Sequence, residues 1–310
     1  MPNEPKIANN TIDEAANADM ATELALEENS PVALITGAAK RIGATMAKTL
    51  HSAGYRVIIH YGHSAEDANA LVNSLNAERP NSAICLQADL CKLEDITRLA
   101  EQATAPDAFS FGSNTVHADS KLKADSSVKA DLNVKAGSNV KAKARIDVLI
   151  NNASSFYPTP LGDISANDWQ SLVGSNVQGP LFLSQALWPA LKASHGCIIN
   201  MVDMHIDRPL PHHTVYGLAK TALASITRSL AVEMAPEVRV NGIAPGAILW
   251  PERELEHDQK QRLLDSIPLG GLGSPEDIAN TATFLILAKY ITGQIIYVDG
   301  GRSLHTNASA

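Results

Sequence analysis

The sequence predicts an α/β fold in which one doubly wound parallel sheet carries helices on both faces. Three observations predict it. Short apolar runs alternate with longer segments of helical period through most of the chain. The first run, "PVALITG", is continuously apolar and ends in glycine, as a strand buried on both faces does. Setting aside an acidic start and a repetitive middle leaves about 240 residues, which suits a single domain rather than two.

The elements follow in order. "PVALITG" is the first strand, and a helix runs from about Ile42 to Ser52, closed by Gly54. "YRVIIHY" is the second strand. In "SAEDANALVNSLNAERP" Ser64 can cap a helix whose Ala68, Leu71, Val72 and Leu75 share a face. "SAICLQADL" is the third strand and "KLEDITRLAEQA" the third helix. "RIDVLINNA" resumes the alternation, followed by a long helix, "DWQSLVGSNVQGPLFLSQALWPAL", and the strand "GCIINMV". "VYGLAKTALASITRSLAVEMA" is another long helix and "VRVNGIAPG" a strand and turn. "SPEDIANTATFLIL" is a helix with Ser274 as cap, Pro275 in first position and Asp277 three residues on. "GQIIYVDGG" is the last strand. Leu249–Gly273 reads as a substrate lid.

Two segments stand outside this rhythm. Residues 1–30 hold seven acids and one lysine, and so contribute most of the formal net charge of −8. They read as a disordered acidic tail. From Val116 to Arg145 five hexads follow one another: VHADSK, LKADSS, VKADLN, VKAGSN and VKAKAR. A period of six fits neither helix nor strand. A short β-helix could use hexads, but these lack its bulky apolar spacing, so a low-complexity insertion over about 104–145 is expected. The folded domain is then 31–310 with that interruption.

Several function classes are excluded. No apolar run reaches the ~18 residues of a membrane span, and the start lacks a signal peptide's basic and apolar regions. No basic face for nucleic acid can be read. Cys85, Cys91 and Cys197 form no metal spacing, and their odd number reads as free thiols of a reducing cytoplasm. His205, His212 and His213 match no familiar metal pattern, so no metal is expected.

"TGAAKRIG" (Thr36–Gly43) lies where the first strand turns into the first helix. Outward backbone N–H groups and the helix dipole suit a pyrophosphate there. Arg41 stands where a middle glycine is usual. After the second strand come His60, Tyr61, His63 and Ser64, with no carboxylate before Glu66. These donors, with Lys40 and Arg41 close by, would welcome a 2′-phosphate, which favours NADPH over NADH. His63 is titratable, so the preference is expected to depend on pH. Asp89 follows the third strand and could accept from adenine. Asn151, Asn152 and Ala153 end the fourth strand and border the cofactor. The insertion precedes that strand, which puts it at the opposite edge from the ligands.

Tyr216 and Lys220 sit one turn apart on a helix. A nearby ammonium lowers a phenol's pKa towards the range of acid catalysis. Taken with Thr36–Gly43, "NNA", Asn176 in "NVQG" and "RVNGIAPG", this pair resembles the short-chain dehydrogenase/reductase family over about residues 31–304. The resemblance implies a Rossmann-type fold, hydride transfer from a nicotinamide, and a homotetramer or homodimer. It makes Tyr216 the proton donor, Lys220 its partner and Asn176 the holder of a relay water. It places the cofactor against Gly37, Arg41, Ile42, Gly43, Tyr61, His63, Ser64, Asp89, Leu90, Asn151, Ala153, Ser154, Tyr216, Lys220, Pro245 and Gly246. The family's usual serine is replaced by Asp203, thirteen residues before Tyr216.

"TGAAKRIG", "HSAEDANAL", "RPNSAI", "NNASSFYPTPL" and "IINMVD" look like the pteridine reductase branch, which reduces pterins and folates with NADPH. That likeness implies substrate contacts from Arg41, Ser154, Phe156, Asp203 and Tyr216, with Phe156 stacked on a flat pterin opposite the nicotinamide. One departure is Gly62–His63, where the branch commonly has a basic pair. Chemically, reducing a C=N bond leaves charge on nitrogen that needs a proton. A carboxylate beside a phenol can relay one, whereas it would repel a ketone's developing oxyanion. The expected activity is reduction of dihydrobiopterin or dihydromonapterin, and of dihydrofolate. A general carbonyl reductase and a non-catalytic NADP(H)-sensing module are the alternatives.

Overall fold

The computed structural model describes residues 30–105, 108–109, 145–250 and 256–304. The acidic tail up to residue 29 and nearly all of the hexad insertion lie outside the described residues. Seven strands form one sheet: β1 (Val32–Ile35), β2 (Arg56–Tyr61), β3 (Ala83–Gln87), β4 (Val148–Asn151), β5 (Cys197–Met201), β6 (Arg239–Pro245) and β7 (Ile295–Val298). All neighbours are parallel, in the order β3-β2-β1-β4-β5-β6-β7. The chain steps outward from β1 to β3 and then returns to β1's other side with β4. That reversal opens a crevice at the carboxyl ends of β1 and β4, where ligands of such sheets bind. Arg145 precedes β4 and so lies at the end of the sheet opposite that crevice.

The helices are α1 (Arg41–Ser52), α2 (Ala65–Glu78), α3 (Leu93–Ala103), α4 (Ala166–Val173), α5 (Gly179–Ala193), α6 (Thr214–Glu233), α7 (His257–Asp265) and α8 (Pro275–Leu287). Alternate strand residues feed two cores. Ala33 and Ile35 of β1 and Val148 and Ile150 of β4 meet Met46 and Leu50 of α1 and Ile278 and Leu285 of α8. Val32, Leu34 and Leu149 point the other way, onto Ile96 and Leu99 of α3 and Leu183, Leu187 and Leu191 of α5. Each such fully buried aliphatic side chain contributes about 1.5–3 kcal/mol of transfer free energy.

Two expectations change. The single long helix expected after β4 is two, α4 and α5, joined by a π turn at Gly174–Gln178. Glycine at 174 lets the turn sit on the β3–α3 connection, since a Cβ there would fall 2.7 Å from Cys91 Sγ. Ser64 stands at the start of α2 but makes no capping hydrogen bond, because its φ of −89° and ψ of 58° lie outside the extended capping conformation. Ser274 does cap α8 as expected, accepting from Asp277 N–H at 3.2 Å. The segment expected to be a lid contains α7, which has no buried residue. Among the described residues no helix is long and apolar enough to cross a membrane.

Candidate active site

The turn after β1 is built by close approach. Gly37 has φ +62°, and a Cβ on it would lie 2.8 Å from Ala153 Cα. A Cβ on Gly43 would lie 2.4 Å from the Gly37 carbonyl oxygen and 2.7 Å from Asn152 Nδ2. Asn152 then locks this turn to the end of β4, donating to the carbonyls of Thr36 at 2.9 Å and Gly37 at 3.0 Å. Ala153 N–H donates to Thr36 Oγ1 at 3.0 Å. Arg41, in the usual glycine's place, takes up φ +55° and exposes its side chain. No side chain caps the amino end of α1, and its first turn has no acid. Its leading N–H groups are therefore the donors a pyrophosphate needs, and the residues present fit a dinucleotide. Ile42 is half-buried against the core behind this turn.

The adenine side differs from expectation in its details. His60 is buried and faces inward rather than offering a donor to a phosphate: its Nδ1 accepts from Gly37 N–H at 3.2 Å. Burial pushes its pKa down to about 4, partly offset by its bond to the Ala88 carbonyl. Lys40 pairs with Asp67 of α2 at 2.8 Å, so a carboxylate does reach this corner. His63 is exposed, and Tyr61 and Ser64 are partly exposed beside it. The Asp89 carboxylate accepts from Cys91 N–H at 3.0 Å and pairs with Lys92 at 3.3 Å. Leu90 is buried in the core, so its side chain is unavailable to a cofactor. Asn151 likewise turns inward, donating to Asn200 Oδ1 at 2.8 Å, and Asn200 donates to Thr227 Oγ1 on α6 at 2.9 Å. A cofactor contact from either Leu90 or Asn151 is left to the backbone. Pro245 ends β6, and Gly246 follows it so closely packed that a Cβ would meet Asp299 Cα at 2.6 Å.

At the carboxyl end of β5 the reactive groups converge. Tyr216 Oη donates to Asp203 Oδ2 at 2.6 Å. The other carboxylate oxygen accepts from His205 N–H at 2.8 Å, which caps a 3-10 turn at Met204–Ile206. Lys220 is buried and donates to the Met201 carbonyl at 2.8 Å. Burial pulls its pKa down to about 8, with Asp203 opposing. The sequence suggests that Lys220 lowers the phenol's pKa, but the structure reverses this. Burial first, and then the charge and hydrogen bond of Asp203, push Tyr216 well above its ordinary value. The ammonium is turned to Met201 and stands 5.7 Å from the phenol ring's centroid. The phenol is therefore held protonated at neutral pH.

The π turn delivers Asn176, fully buried, to the same place. Its amide donates to Leu172 O at 2.9 Å and Ser155 O at 3.0 Å, and its Oδ1 accepts from Ser154 Oγ at 2.7 Å. Asn176 thus fixes Ser154, and only one lone pair of Oδ1 remains for any water. Phe156 is 56% exposed and meets Tyr216 edge-on at 4.8 Å between centroids. His213 stacks on it at 4.8 Å and 16°. The sequence gives no sign of this stack, which no local spacing encodes. Nor does it point to Arg302, half-buried within the field of Asp203, whose main chain accepts from Arg208 at 2.8 Å.

A glycine turn at the sheet's switch point and a Tyr-x-x-x-Lys pair at the end of β5 define a nicotinamide-dependent oxidoreductase. The chain belongs to the short-chain dehydrogenase/reductase family: residues 31–106 match the family described as short chain dehydrogenase, and residues 111–303 match that described as Enoyl-(Acyl carrier protein) reductase. It is 40% identical to Pteridine reductase 1 of Leishmania tarentolae over 300 residues, covering 89% of this chain and 97% of that one. A 3-oxoacyl-[acyl-carrier-protein] reductase of Synechocystis sp. is 31% identical, covering 87% and 96%. A 3beta-hydroxysteroid dehydrogenase 1 of Eggerthella lenta is 29% identical, covering 88% and 93%.

Proposed function

We propose that the protein reduces dihydropterins, such as dihydrobiopterin and dihydromonapterin, and dihydrofolate, with NADPH as the electron donor. The observation that carries this is the 2.6 Å contact between Tyr216 Oη and Asp203, with Phe156 packed edge-on against the same phenol. When bound, the cofactor supplies hydride to a ring carbon. The chain's own residues supply the rest. Phe156 offers an exposed aromatic face for a flat heterocycle, the stacking contributing about 0.5–1.5 kcal/mol beyond burial. Tyr216 holds a proton at Oη and Asp203 holds that hydroxyl in place; once the phenol's proton has passed to the ring nitrogen, the carboxylate can take a proton from solvent and pass it to the phenolate. Lys220 orients the ribose side of the cofactor, and Asn176 holds Ser154 where both ligands meet.

The same reading covers the chain as a whole. One catalytic domain spans 31–310, carrying an acidic tail at 1–30 and the hexad insertion at about 104–145 as appendages. We assign it to the cytoplasm, supported by the three free cysteines, and to a homodimer or homotetramer by family likeness. The donors around Arg41 and His63 support NADPH over NADH. The relatives that reduce 3-oxoacyl groups point to a carbonyl reductase as the second reading. Asp203 argues against it, because a carboxylate there opposes an oxyanion. The test is a panel of dihydrobiopterin, dihydromonapterin, dihydrofolate, ketones and a 3-oxoacyl thioester, each with NADPH and NADH. Turnover of ketones or thioesters without pterins rejects the proposal, and cofactor binding without any turnover supports the sensing module.

A further inference from the structure

We infer that His60 is a positioning residue for the cofactor, an imidazole brace that ties the pyrophosphate turn to the adenine-side turn. The inference rests on the cofactor-site reading above. His60 ends the inward part of β2, the strand between β1 and β3. It is 2% exposed. Its two ring nitrogens engage two different turns: Nδ1 accepts from Gly37 N–H at 3.2 Å, and Nε2 lies 3.1 Å from the Ala88 carbonyl. A backbone N–H only donates and a carbonyl only accepts, so the pair of contacts fixes the tautomer with its proton on Nε2. Gly37 opens the turn that would cradle the pyrophosphate, and Ala88 precedes Asp89 on the adenine side. The main chain repeats the tie, with Ala38 N–H donating to His60 O at 3.0 Å and Ala88 N–H to Tyr61 O at 3.2 Å.

A side chain that satisfies both groups costs little to keep ordered. One that satisfies neither leaves a buried donor and a buried acceptor unpaired, and both turns relax to find other partners. The two arms can be separated chemically. Asparagine places an acceptor near the Nδ1 position and keeps the Gly37 arm. Glutamine reaches towards Ala88 with a donor but puts no acceptor at Nδ1. The Gly37 arm bears on the phosphates, so it dominates affinity.

The experiment is fluorescence titration of NADPH into the full chain, for wild type, His60→Leu, His60→Asn and His60→Gln, with steady-state dihydropterin reduction alongside. The expected result is a dissociation constant raised about tenfold in His60→Leu and His60→Gln and largely recovered in His60→Asn. At saturating NADPH, kcat and the KM for dihydropterin stay within about twofold of wild type. Unchanged NADPH affinity in His60→Leu overturns the inference, as does a loss shared by kcat and the pterin KM. If His60→Leu does not fold, equal affinity in His60→Asn and His60→Gln overturns it. A wild-type chain that binds no NADPH at all overturns the cofactor reading itself, and the brace with it.

Discussion

Replacing Tyr216 by phenylalanine and Asp203 by asparagine, singly and together, tests whether the two act as one unit. The phenol donates to the carboxylate at 2.6 Å. A hydrogen bond to a charged group is worth about 1.5–3 kcal/mol, against about 0.5–1.5 kcal/mol for a neutral pair. Asp203→Asn therefore weakens the contact by about 1–2 kcal/mol and should lower kcat about tenfold. Tyr216→Phe removes the proposed proton donor. General acid catalysis contributes about 10²–10⁴ in rate, so about 3–5 kcal/mol of barrier is lost. If Asp203 works through the phenol, its substitution has nothing left to act on in the Tyr216→Phe background. The double variant should then match Tyr216→Phe to within about twofold. The assay is NADPH oxidation with dihydrobiopterin under saturating conditions. A double variant about tenfold slower than Tyr216→Phe would mean independent roles and would refute the relay.

Phe156→Ala should raise the pterin KM about three- to tenfold with little change in melting temperature, because the ring is already 56% exposed; steady-state kinetics and thermal unfolding measure the two. Gly43→Ala forces a Cβ to 2.4 Å from the Gly37 carbonyl oxygen; a loss of about 1–3 kcal/mol in urea unfolding and a weakened NADPH affinity are expected. Lys220 falls from 10.5 to about 8 through burial, so the unfolded chain holds a proton that the folded one releases between those values, and stability rises with pH across that window. Urea unfolding at about pH 7 and about pH 9.5 should show wild type gaining about 2 kcal/mol relative to Lys220→Met. His60 has the same sign at lower pH: its value drops from 6.5 to about 4, so about 3 kcal/mol is fully present above about 6.5 and lost as pH falls to about 4. Acid unfolding of wild type against His60→Asn reads that loss.

Much of this architecture is legible in the sequence because strands buried on both faces must be continuously apolar. "VALI", "VII" and "CIIN" can do little else. The proposed catalytic pair is legible too, since Tyr216 and Lys220 lie one turn apart on a helix whose course is plain. What stays hidden depends on contacts between distant segments. The π turn at Gly174–Gln178 keeps the apolar spacing of an ordinary helix, and only its packing on Cys91 reveals the break. The reversal of the expected Tyr216 shift has the same origin. Proximity in sequence put Lys220 beside the phenol, but the ammonium turns to Met201 and the acid thirteen residues upstream takes its place. His60 reads as a surface donor until its strand is seen between two others.

The row Asn151–Asn200–Thr227 crosses from β4 through β5 to the helix that bears Tyr216 and Lys220. Directional bonds of this kind tolerate no sliding, so the helix is pinned to the sheet from below, independently of the segments that surround the mouth. Those segments, 154–165 and 204–213, meet each other above the site, where Thr159 bridges to His213 and Phe156 stacks on the His213 ring. Substrate preference can therefore drift through changes in the rim while Tyr216 and Lys220 stay fixed to the foundation, and grafting residues 154–165 and 204–213 from another reductase onto this chain, with Asp203 kept, should alter what is accepted without dismantling the proposed chemistry.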